Sequence, residues 1–129
     1  MRKTILMMLL AAASGSAAAA WERVRENSEL TSYADPATIR KSGNMVQMWV
    51  LFDYKTAQEF DGKPFVSIRE QFEFDCKEER LQLVTVFAHS ENLAKGRVVH
   101  SASFDYEEWQ PVRRGTTNEA LWKFACGKR

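Results

Sequence analysis

The chain is poor in the features that most readily announce a function. Its 129 residues hold two cysteines, two histidines, three prolines and six glycines. His89 and His100 could supply part of a metal site, but zinc centres use three or four protein ligands and no third is evident. There is no glycine-rich phosphate loop, no nucleophile-elbow glycine pattern and no metal-binding helix motif. The sequence therefore lacks the signatures of nucleotide binding, α/β-hydrolase chemistry and zinc proteolysis. Its longest apolar run, near the start, is too short for the roughly 20 residues that a spanning helix needs.

That run has another meaning. Arg2 and Lys3 precede the apolar stretch Ile5 to Ala13, and a tail of small residues ends at Ala18-Ala19-Ala20 before Trp21. A charged start, a short apolar segment and an Ala-x-Ala site form a secretory signal peptide. The expectation is a signal peptide over residues 1–20, cleavage after Ala20, and one domain over residues 21–129, periplasmic or secreted. No cysteine lies at or just after the cleavage point, so lipoprotein acylation has no attachment site and no stable membrane anchor is expected.

Removing 20 of 129 residues leaves 109, the size of one small domain with one modest core. Arg2 and Lys3 leave with the signal, which lowers the 18 Lys and Arg to 16, against 17 Asp and Glu. A nearly neutral surface does not suggest a nucleic-acid partner.

Period-two apolar alternation, broken by turn signals at short intervals, dominates after Trp21 and predicts a meandering antiparallel sheet. WERVRE and SELTSYAD are the first strands, the second stopped at Asp35-Pro36, because proline removes a ladder donor. Ser42-Gly43-Asn44 turns the chain into MVQMWVLFDY. Val46, Met48, Val50 and Phe52 share one face of that strand; Met45, Trp49 and Leu51 share the other, so it is expected to be central and covered on both sides. After a polar loop through Asp61 to Pro64 comes FVSIREQFEFDC, with Val66, Ile68, Phe72 and Phe74 predicted inward and Ser67, Arg69, Gln71 and Glu73 outward. Lys77 to Glu79 reverses the chain into RLQLVTVFAHS, and a turn at Asn92 to Gly96 leads into RVVHSASF. EEWQPVRRGT is an extended exit.

TTNEALWKFACG is the one helix predicted in the mature chain. Thr116 and Glu119 have capping-box spacing, Gly127 sits where a C-cap glycine belongs, and Ala120, Leu121, Phe124 and Ala125 form the apolar face. The predicted class is therefore α+β, with the helix packed on one face of the sheet.

In an oxidising compartment two cysteines offer a single intramolecular pairing, Cys76 with Cys126. It would close a loop of about 50 residues, for which chain entropy gives roughly 4 kcal/mol. A redox-active pair favours Cys-x-x-Cys at a helix N-terminus, whereas Cys126 is at a helix C-terminus, where the dipole disfavours a thiolate. The pairing is thus structural, and Trp122, one turn earlier, is placed to pack over it.

Other clusters have ordinary readings. A hairpin centred near Leu93 to Lys95 would set His89 and His100 roughly opposite each other as two partly exposed sheet histidines. Glu78-Glu79 and Glu107-Glu108 are sequence neighbours that point to different sides, unlike a hydrolytic carboxylate couple. Arg113-Arg114 with Lys128-Arg129 make a small basic patch, read as solvated surface. The four tryptophans, Trp21, Trp49, Trp109 and Trp122, suit core and sheet-edge positions.

Taken in order, Trp21, YADPATI, QMWVLFDY, FVSIREQFEFDC, the run Gly96 to Val99, WQPV and LWKFAC resemble the bacterial surface-adhesin protein E family over nearly the whole mature chain. The most specific element is a strand ending in Asp75-Cys76 combined with a second cysteine on a C-terminal helix. The resemblance implies a six-stranded antiparallel sheet with its helix held against the concave face by the disulfide. It also implies a non-enzymatic protein without cofactors that binds host matrix or plasma proteins, such as vitronectin, laminin and plasminogen, and that can form a homodimer. The chain departs from the family's lipoprotein pattern in having no lipobox cysteine. A different expectation is a periplasmic envelope module that contacts a bacterial partner or a small apolar ligand through the sheet.

Export and pairing have a joint test. The secreted product is expected to begin at Trp21, with an unreduced mass two hydrogens below that of the dithiol. An intact leader or two free thiols in oxidised protein would refute the respective expectation.

Overall fold

The computed structural model describes residues 20–105 and 108–128. The signal peptide assigned to residues 1–20 lies, up to Ala19, outside the described residues.

Among the described residues eight strands and one α-helix follow one another: β1 (Glu22–Glu26), β2 (Leu30–Ala34), β3 (Arg40–Ser42), β4 (Met45–Phe60), β5 (Lys63–Asp75), β6 (Arg80–Glu91), β7 (Lys95–Ser103), β8 (Gln110–Pro111) and α1 (Thr117–Cys126). All pair antiparallel in one sheet whose main path, β1-β2-β4-β5-β6-β7, is a six-stranded meander. The α+β class and the helix on one face are as expected. Two short strands are additional: β3 hairpins onto β4, and β8, within the expected extended exit, pairs with Arg80 and Leu81 of β6.

Local chemistry accounts for the corners. Asp35 caps a 3-10 turn over Pro36–Thr38 by accepting from Ala37 N, and Thr38 Oγ1 accepts from Trp49 N, which ties this turn back to β4. The loop expected from Asp61 to Pro64 is shorter than predicted. β4 runs on to Phe60 and β5 starts at Lys63, leaving Asp61-Gly62 as a two-residue turn with both residues at positive φ, the geometry that matches strand twist in tight hairpins. An irregularity between Asp53 and Gln58 shifts the register of β4 against β5, and such bulges bend a strand.

The main core lies under the helix. Ala34, Val46, Met48, Val50, Phe74 and Leu81 from the sheet meet Leu121, Trp122 and Ala125 from α1. The expected alternation in β4 holds on this side, where Val46, Met48 and Val50 are buried. On the helix, Trp122 is buried and Phe124 only half-buried, a rotation of the predicted apolar face. Its cause is polar: Trp122 Nε1 donates to Asp75 O at 2.9 Å, which gives the indole a buried partner.

The helix ends follow the predicted signals, with one change. Thr116 Oγ1 accepts from Glu119 N at 3.2 Å, but Glu119 Oε1 accepts from Gly115 N at 3.0 Å, not from the N-cap residue. Gly127 takes the left-handed conformation at φ 69, where a side chain would be strained. Cys76 and Cys126 are joined, with Cα atoms 5.7 Å apart across a sequence separation of 50.

Two substitutions separate the helix cap from its core contact. Leu121 is fully buried, so Leu121→Ala is expected to cost about 3 kcal/mol, and Thr116→Ala about 1 kcal/mol. Urea unfolding midpoints check this ranking; equal losses would contradict the packing.

Candidate functional site

The sheet has a second face, away from the helix, and chemically it is unlike the first. On β4, Met45, Gln47 and Trp49 are half-buried where their neighbours Val46, Met48 and Val50 are buried. Residues paired across antiparallel strands share a face, so Leu51, Arg69 and Phe87 form one row, and Trp49, Gln71 and Thr85 the next.

Arg69 is the centre of this surface. Its guanidinium carbon lies 5.0 Å from the centroid of the Trp49 ring and 4.4 Å from that of Phe87, and the two rings are 6.0 Å apart. Trp49 and Phe87 stack on each other, and the cation lies against both rings, where ring quadrupoles hold it and it stays poorly hydrated. Burial lowers the Arg69 pKa from its ordinary value. Arg69 Nε also donates to His89 Nε2 at 3.3 Å, which places the neutral imidazole's proton on Nδ1. His89 is buried, and among the described residues its Nδ1 has no hydrogen-bond partner. Burial first, and the Arg69 charge second, lower the His89 pKa.

Polar pairs flank the stack on one side: Gln71 Nε2 donates to Gln47, and Gln82 Nε2 donates to Glu73. On the other side the β6–β7 turn is latched down. Asp53 Oδ1 accepts from Leu93 N at 2.8 Å and from Asn92 Nδ2 at 3.0 Å. Ser67 Oγ donates to Glu91 O and accepts from Ala94 N at 3.0 Å. The latch matters because Leu93 and Ala94 sit at φ 57 and φ 59, a conformation costing a non-glycine residue about 1 kcal/mol or more. Leu93 remains exposed at the tip.

Several expectations change here. Ser67, expected outward on a solvated face, is fully buried, because the β6–β7 turn folds over it. His89 and His100 are not opposite each other: bulges in β7 pair His89 with Val98 and Ala88 with His100. His89 is buried against Arg69, while the His100 ring lies 4.0 Å from that of Phe60. Among the described residues no group of three His, Cys, Asp or Glu converges. Arg113 and Lys128 belong to separate surfaces at opposite ends of the helix. Sequence inspection missed the Trp49–Arg69–Phe87 stack, because its members are 20 and 18 residues apart and meet only through strand register.

On the helix-bearing face one carboxyl is out of place. Glu70 is half-buried and sits across from Val50 and Val86, and this burial raises its pKa to about 7. The Tyr54 hydroxyl is also raised, by burial first and then by the charges of Glu70 and Glu29.

A meander sheet with one helix clasped to it by a disulfide, and an aromatic and polar opposite face, defines a small clasped α+β domain. The chain belongs to the surface-adhesin protein E family, whose model matches residues 21–127, which makes it a surface adhesin-like protein. Solved structures agree on the fold. The structure of Haemophilus influenzae protein E superposes with a TM-score of 0.61 at 16% identity, covering 83% of each chain. Crystal form II of the same protein gives 0.57 at 13% identity, covering 86% of this chain and 97% of that one. No curated protein matches the chain in sequence.

Half-buried Glu70 and buried His89 act in opposite directions. The raised pKa of Glu70 means the folded state holds its proton longer, so stability falls as pH rises from about 4.5 to about 7. The lowered pKa of His89 means the unfolded state takes the proton first, so stability falls as pH drops below about 6.5. Urea midpoints from pH 4.5 to 8 should show Glu70→Gln removing the first slope and His89→Gln the second. Parallel curves for wild type and either variant would contradict the corresponding assignment.

Proposed function

We propose that this protein is an exported, non-enzymatic binding protein that docks a host matrix or plasma protein on the sheet face opposite the helix. In this reading residues 1–20 are removed on export, and the domain over residues 21–129 works in the periplasm or the medium. The observation that carries the docking face is the Trp49–Arg69–Phe87 stack. Its three side chains are half-buried on a face that, among the described residues, no helix covers, and tryptophan and arginine are the residue types most enriched at interface hot spots. Family membership supports the adhesive role.

Arg69 is already held by its hydrogen bond to His89 and by its contacts with both rings, so little side-chain entropy is lost on docking. The latched β6–β7 turn extends the surface with exposed Leu93 and a fixed backbone.

Immobilised vitronectin, laminin and plasminogen should each be tested for capture of the purified protein. Binding to at least one is expected, with Arg69→Glu weakening it at least about tenfold while the circular dichroism spectrum stays native. Absence of binding to all three at micromolar concentration would overturn the adhesive reading; binding untouched by Arg69→Glu would overturn the choice of face.

A further inference from the structure

The disulfide has surroundings that neither the adhesive role nor the opposite sheet face uses. Lys41, Lys77 and Lys128 line one open pocket of about 390 Å3, together with Val46, Cys76 and Cys126. The lysines are exposed, the cysteines half-buried and Val46 buried, so a cationic rim surrounds an apolar base. No described lining residue carries negative charge, and none of the three lysines is in an ion pair among the described residues.

The lysines are far apart in sequence and are brought together by covalent and backbone constraints. Lys77 follows Cys76 directly, and its N–H donates to Asp75 Oδ1 at 3.0 Å. Lys128 lies two residues beyond Cys126; its N–H donates to Lys123 O at 2.8 Å, and its Nζ sits 5.7 Å from the Trp122 ring centroid. Lys41 on β3 pairs with Val46 on β4. The Cys76–Cys126 bond thus makes neighbours of two lysines 51 positions apart.

Three like charges around one pocket repel one another, and an anion of two or more charges relieves that repulsion while gaining attraction to each. The helix C-terminus opposes this with about half a negative charge. Its carbonyls of Lys123 and Phe124 already accept from Lys128 N and Gly127 N, and three full charges outweigh it. The pocket volume falls within the range of small-ligand sites.

We propose that this pocket binds a small oligoanion carrying two or more sulfate or phosphate groups, and that the disulfide builds the site. The site is on the helix-bearing side of the sheet and is independent of the docking face.

The test is a titration of the isotopically labelled, oxidised protein, followed by amide NMR, with inorganic pyrophosphate in one arm and a disulfated disaccharide in the other. Saturable shifts confined to Gly43, Lys77, Gly127 and Lys128 are expected with at least one probe, and the responding arm identifies phosphate or sulfated sugar as the source. Lys128→Ala should weaken binding about fivefold, Lys128→Arg should restore it, and raising salt should weaken it. The absence of localised shifts with both probes, or shifts undiminished in the Lys77→Ala, Lys128→Ala double variant, would overturn the proposal. Undiminished binding after reduction, in a spectrum that remains folded, would overturn the part played by the disulfide.

Discussion

The link between Asp75-Cys76 and the last turn of α1 is the constraint on which the rest depends. A sheet this exposed cannot bury enough surface by itself, and one ten-residue helix is too short to be stable alone in water. Joining them covalently removes about 4 kcal/mol of chain entropy from the unfolded state, for a sequence separation of 50. The residue before the cysteine reinforces the joint from both ends. Its carbonyl accepts from Trp122, while its carboxylate accepts from Lys77 N, Glu78 N and Arg80 Nε. These bonds, the one from Glu78 first, hold the Asp75 carboxyl below the usual range.

With the helix committed to one face, the other is left to do different work. The two faces of β4 show the division within a single strand: Val46, Met48 and Val50 under the helix, Met45, Gln47, Trp49 and Leu51 on the far side. On that far side buried Leu51 sits in the same row as Arg69, beside the Trp49 and Phe87 rings, and Asp53 and Ser67 hydrogen-bond the β6–β7 turn onto the sheet. Strand bulges in β4, in β6 against β5, and in β7 set where these groups fall.

Much of the scaffold was legible in the sequence because its signals are local. Alternation marked the strands, Thr116 and Gly127 marked the helix ends, and two cysteines in an exported chain left one pairing. The short strands β3 and β8 were not legible, since three and two residues carry no periodicity. Ser67 was misplaced because a polar residue in an alternating strand suggests solvent unless the turn that covers it is known. The Arg69 stack and the lysine pocket depend on register and on the cross-link, and neither leaves a trace in sequence spacing. Trp122 turned inward for a hydrogen bond that helical periodicity does not encode.

Amide hydrogen exchange in oxidised and reduced protein tests the clasp most directly. The account predicts that reduction speeds exchange of the helix amides from Ala120 to Lys128 by up to about a thousandfold, the equivalent of the lost loop constraint. Helix amides that exchange equally slowly in both forms would contradict it.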